Sequence, residues 1–117
     1  MSLEEIARDM YRTEETIAFD GKFKEMLNLD SRVVFDLGKL EYENIAYALV
    51  RYAREFGFFV GVKKDRLQRE SHMTPSTYSS MLDYGYVSVA GTVNNIDIIT
   101  PTQKLLKQGN VLPKTKR

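Results

Sequence analysis

The sequence predicts a mainly α-helical domain carrying one small β-hairpin, and three observations lead there. Apolar residues recur at helical spacing from Tyr42 through Ile45, Ala46, Leu49, Tyr52, Ala53 and Phe56, one continuous stripe ended by Gly57. Thr74-Pro75 and Thr100-Pro101 each place a hydroxyl N-cap before a proline whose missing N–H costs a first helical turn nothing. Between those two starts, Tyr86–Ala90 and Ile96–Thr100 are β-rich runs flanking a turn at Gly91–Asn95. A chain of 117 residues, 43% hydrophobic and 11% aromatic, suits one domain with a real core.

Taken in order, Leu3, Ile6, Ala7 and Met10 repeat at helical spacing behind Ser2, with Glu5 closing a capping box and Glu4 and Glu5 favoured by the helix dipole. A second helical stretch is expected over about Thr13–Leu27 on Ile17, Phe23, Met26 and Leu27, with Gly21 as its weak point. Asn28–Ser31 breaks the pattern, and Arg32–Leu37 (RVVFDL) reads as a single strand. After the long helix, Lys63–Glu70 forms a short charged helix anchored on Leu67, and Pro75 opens another that ends by Gly85. A last helix carries Leu105 and Leu106 up to Gly109, and the tail VLPKTKR reads as mobile and basic. The division expected is an N-terminal helical extension at 1–31, a main domain at 32–109 and a basic tail at 110–117.

Composition narrows the function. The longest apolar run, Phe58–Val62, is far short of the ~20 residues that cross a bilayer. The opening MSLEEIARDM is acidic where a secretion signal is basic, so a cytoplasmic protein is expected. Without cysteine there is no disulfide, thiolate metal site or cysteine nucleophile. The glycines form no phosphate-cradling loop, and neither serines nor carboxylates fall in a known catalytic or metal-binding pattern. The sequence therefore points away from an enzyme and calls for no cofactor or metal; the lone His72 has no second ligand at metal spacing.

The net charge of +1 hides an asymmetry. Residues 1–43 hold 11 acidic and 6 basic side chains, whereas residues 44–117 hold 5 acidic and 11 basic. Such a chain can offer a positive face to phosphates and an acidic one to a protein partner.

The order from Glu41 onward, helix, helix, turn, helix, hairpin, helix, resembles the winged helix-turn-helix DNA-binding family over about residues 41–109. Val62-Lys63-Lys64-Asp65-Arg66-Leu67 is similar to the family's second helix. Pro75–Leu82 running into Asp83-Tyr84-Gly85-Tyr86-Val87 is similar to its recognition helix and the step into the wing. Ile99–Leu106 is similar to its strand-to-helix exit. Two features depart from the family: the third helix is about one turn short, and the wing turn Gly91–Asn95 carries no lysine or arginine.

The resemblance implies that Thr74, Ser76, Thr77, Ser79 and Ser80 present hydroxyls to phosphates or base edges, contacts that position better than they discriminate. It implies also that Lys63, Lys64, Arg66 and Arg69 lie along a phosphate backbone, each contact steepening the salt dependence. Asp65 and Glu70 interrupt that run, so an ion-paired solvated helix is the alternative. Arg51 and Arg54 rank below these four, and Lys114, Lys116 and Arg117 could clamp the backbone from the tail. Tyr42, Tyr52 and Tyr78 fall on apolar stripes and read as core, whereas Tyr84 and Tyr86 beside the wing are open to base stacking.

Leu3, Ile6, Met10 and Ile17 are the expected homodimer contacts, spacing two half-sites about one duplex turn apart. The function expected is a small double-stranded DNA-binding regulator of transcription, replication or partition, of bacterial, plasmid or phage type. The alternative is an interaction adaptor of the same shape that does not bind DNA.

Overall fold

A four-stranded antiparallel sheet forms the centre of the molecule, and the chain supplies its strands from both halves. The computed structural model describes residues 8–13 and 17–113. Strand β1 (Met10–Arg12) pairs with β3 (Val60–Lys63), β3 with β5 (Ile96–Pro101), and β5 with β4 (Val87–Val93). The end of the run Phe58–Val62 thus enters an inner strand: Val60, Gly61 and Val62 are all buried, so it shows no polar alternation. A second sheet pairs β2 (Ser31–Phe35) with β6 (Gly109–Pro113), Phe35 facing Gly109. A Cβ at residue 109 would fall 2.7 Å from Met26 Cε and 3.0 Å from the Phe35 ring, so glycine is required for this close approach.

Five helices complete the described residues: α1 (Gly21–Met26), α2 (Leu40–Phe56), α3 (Lys64–Ser71), α4 (Pro75–Asp83) and α5 (Gln103–Lys107). In α2 the predicted stripe faces inward, with Tyr42, Ile45, Ala46, Leu49, Tyr52 and Ala53 buried, and Gly57 ends it at φ 78°. Thr74 and Thr102 cap α4 and α5, each hydroxyl accepting from the N–H three residues on. Ile45, Leu49, Phe59, Val62, Leu67, Met81, Ile99 and Leu105 meet in one core between helices and sheet.

The expectation of a mainly α domain with a small hairpin, built as a winged helix-turn-helix with an N-terminal helical extension, is corrected by this topology. Six strands in two sheets stand beside five helices among the described residues, which makes the fold mixed α/β. Three local causes account for the difference. Met10, read as a helical position, lies in β1, where Met10 pairs with Val62. Among the described residues of the helix expected over Thr13–Leu27, only Gly21–Met26 is helical, because the Asp20 carboxylate caps the Phe23 N–H at 2.9 Å and starts the helix there. Val111-Leu112-Pro113, read as the start of a mobile tail, is strand β6.

The hairpin is longer than expected. Asn94 and Asn95 alone make its turn, both at positive φ (52° and 67°), the geometry of a two-residue type I′ loop. Gly91 lies within β4, just past a bulge at Ala90. The capping box at Ser2–Glu5, the dimer candidates Leu3 and Ile6, and the tail cations Lys114, Lys116 and Arg117 lie outside the described residues. No helix of the described residues is long and apolar enough to cross a membrane.

Candidate functional site

Helix α4 is built with two unlike faces. Thr77, Tyr78 and Met81 bury, while Ser76 and Ser79 are exposed and Ser80 is half-buried. Thr74 is exposed and spends its hydroxyl on the cap, accepting from Thr77 N at 3.1 Å, with the two threonine oxygens 2.9 Å apart. The Tyr78 hydroxyl donates to Asp97 of β5 at 2.8 Å, tying the helix to the hairpin. Burial, and then the Asp97 carboxylate, push the Tyr78 pKa up, so the hydroxyl stays a donor at neutral pH. The hairpin tip beside it, Thr92 to Asn95, is uncharged.

The cations sort differently from the hydroxyls. Arg66 is buried: one guanidinium nitrogen reaches Asp9 at 3.1 Å, the other Glu70 at 3.0 Å, and the group lies over the Tyr52 ring. Lys63 sits 3.6 Å from Asp9, and Arg51 sits 3.7 Å from Glu70. Lys64 holds its ammonium over the Tyr78 ring, 4.4 Å from the centroid, which leaves the charge near α4. Arg69 is exposed in the last turn of α3, and His72 follows as the exposed left-handed residue that ends the helix. Arg54 is used structurally, donating to Met26 O at 2.8 Å and Ser31 O at 2.9 Å, and burial lowers its pKa.

Of the nine residues expected at the DNA face, the structure brings Lys64, Arg69, Thr74, Ser76 and Ser79 to or near the surface around α4. It buries Arg66 and Thr77, half-buries Ser80 and pairs Lys63 with Asp9. Met10 and Ile17, expected at a dimer contact, are buried in the protomer's own core. Asp9 was not singled out in the sequence, since its partners lie more than fifty residues away and no local pattern joins them. No group of three or more metal-ligating side chains occurs among the described residues.

Tyr52 is the third member of the Arg66 network. Burial, and then the Glu70 carboxylate, push its hydroxyl up to about 12. A raised pKa in the folded state gives stability that is complete below pH 10 and lost between about pH 10 and 12, as the unfolded chain ionises first. Urea titrations at pH 9 and pH 12 should therefore show Tyr52→Phe gaining on the parent by about 2–3 kcal/mol over that interval. Parallel losses in the two proteins would mean that Tyr52 ionises like a free tyrosine.

A separate groove of about 270 Å³ lies at the other end of α4, lined by Leu37, Gly38, Lys39, Tyr42, Tyr84 and Tyr86. No protein-family model, curated protein or solved structure matches the chain.

Proposed function

We propose that this chain binds double-stranded DNA through α3, the turn at His72, α4 and the β4–β5 hairpin, and acts as a small dimeric regulator of transcription, replication or partition in a bacterial, plasmid or phage setting. One observation carries the reading: the N-terminal half of α4 faces outward with Thr74, Ser76 and Ser79 while its other face is locked to the core through Thr77, Tyr78 and Met81. Small hydroxyls on a rigid helix suit close approach to a groove and contact with phosphate oxygens. The resemblance of about residues 41–109 to winged helix-turn-helix DNA-binding proteins enters this reading as a likeness of sequence alone. A cytoplasmic location goes with it.

Lys64 and Arg69 are the cations this reading retains from the described residues. Two phosphate contacts per protomer give a slope of log affinity against log salt of about −2. Anisotropy titrations of a labelled random duplex should return that slope for each bound protomer, and Arg69→Ala should make it shallower by about 1. Ser79→Asp, which sets a carboxylate against the backbone, should remove binding at physiological salt. Sedimentation of the free protein reads the dimer separately.

A specific observation favours the second reading, a protein-interaction adaptor without DNA binding. Lys63, Arg66 and Arg51 are engaged by Asp9 and Glu70, and the hairpin tip is uncharged. A flat salt dependence, or no duplex binding at low salt, decides for the adaptor.

A further inference from the structure

The C-terminal end of α4 holds an aromatic cluster that duplex binding does not use. Gly85, at φ 76°, stops the helix: its N–H bonds Leu82 O at 3.0 Å and the Tyr86 N–H bonds Met81 O at 3.0 Å. This is the Schellman closure, and it holds the residues on either side of the glycine, Tyr84 and Tyr86, at a set spacing. Their ring centroids lie 6.0 Å apart, and Tyr84 meets the Tyr42 ring edge-on at 5.9 Å. The Lys39 ammonium lies 5.6 Å from the Tyr42 centroid and the Lys104 ammonium 5.3 Å from that of Tyr86. Lys104 also donates to the Tyr84 backbone oxygen. The contacts therefore run cation, ring, ring, ring, cation.

Tyr42 is core, but Tyr84 is 52% exposed, an unusual place for a large aromatic at a preformed groove. The lining contains one lysine, Lys39, and no carboxylate, and Lys104 flanks it over the Tyr86 ring; Asp36, Glu41 and Asp83 are sequence neighbours that do not line it. A volume of about 270 Å³ stands just below the ~300–1,000 Å³ of small-molecule pockets and suits a single flat ring system. An exposed ring supplies stacking, and flanking ammoniums supply partners for the phosphates on either side of a base. The positive charge disfavours a proline-rich peptide, which needs the aromatic surface alone.

We infer that the Tyr42–Tyr84–Tyr86 groove, with Lys39 and Lys104, binds an unpaired base of single-stranded nucleic acid. Helix α4 is nine residues long, so about 13 Å separates this groove from the Ser76 end, and the two sites act independently.

Fluorescence anisotropy with a labelled short oligothymidylate tests this. The parent binds, with a salt slope of about −1.4 for two single-strand phosphate contacts. Tyr84→Ala weakens binding roughly 5- to 150-fold, the range for loss of one stacked base. Tyr84→Phe keeps the ring and stays near the parent, and Lys39→Glu, an exposed change, weakens binding and flattens the slope. Thymidine monophosphate competes only at far higher concentration than the oligonucleotide. Unchanged binding by Tyr84→Ala overturns the inference, as does equal competition by the mononucleotide, or capture of a proline-rich peptide with no oligonucleotide binding. Arg69→Ala leaves this binding intact, so failure of the duplex reading and failure of this one are told apart.

Discussion

Phe59→Ala is expected to lower the melting temperature by about 10–25 °C, because it empties the point where three parts of the chain meet. Phe59 is fully buried, stacked on Phe19 at 6.0 Å and met edge-on by Phe23 at the same distance. Its backbone oxygen accepts from Thr13 N at 3.1 Å and from the Thr13 hydroxyl, so the position also anchors the exit from β1. Truncating a buried phenylalanine costs about 3–5 kcal/mol, lost transfer free energy plus an unfilled cavity. Against a total stability of about 5–15 kcal/mol, that is a large share. At this chain length each kcal/mol moves the midpoint by about 3–6 °C. Circular dichroism melts read the shift, and Phe59→Leu, which refills most of the space, should recover more than half of it. A midpoint within about 3 °C of the parent for the alanine variant would mean that the aromatic group carries little of the core.

The same residue shows where the sequence was legible and where it was not. Helix α2 could be read because its stripe, acidic start and terminal glycine are all local, and α4 because Thr74-Pro75 states its own beginning. The strand that Phe58–Val62 enters could not, since an inner strand covered on both faces has no period to distinguish it from a short buried helix. Strands β1 and β6 owe their form to partners far along the chain, Val62 for Met10 and Phe35 for Gly109, and three- to five-residue segments carry little preference of their own. The candidate site divides the same way. The resemblance offers all five hydroxyls alike, and only the way α4 packs separates the exposed Ser76 and Ser79 from Thr77, which turns inward. The cations were not placed by the sequence either, because an arginine's partner is a tertiary fact: Arg66 lies on the buried side of α3, one position before Leu67. The tyrosine groove was half visible, with Tyr84 and Tyr86 flagged and Tyr42, Lys39 and Lys104 assembled only by folding.

Arg66→Ala is expected to destabilise the protein by about 3 kcal/mol and to do so without touching any ligand. Breaking a buried ion pair costs about 3–5 kcal/mol, because the surviving charge stays desolvated. Here the lower end applies: Asp9 and Glu70 are 21% and 31% exposed at their side chains, and Lys63 and Arg51 remain beside them. Burial opposes the guanidinium charge, but the hydrogen bond it donates to Asp9 and the nearby Glu70 charge outweigh it and raise the pKa, so the arginine is cationic at any pH at which the chain folds. Arg66→Met should restore much of the loss, since it refills the space over Tyr52 while the two carboxylates keep their other cations. That variant separates structure from function. Measured below its melting temperature, Arg66→Met should bind duplex with the parent's salt slope, because a guanidinium engaged by Asp9 and Glu70 releases no counterion from DNA. A slope shallower by about 1 would place Arg66 on a phosphate and require the Asp9–Arg66–Glu70 cluster to open on binding. Chemical denaturation and anisotropy on the same preparation measure both quantities, so the stabilising role and the contact role cannot be confused.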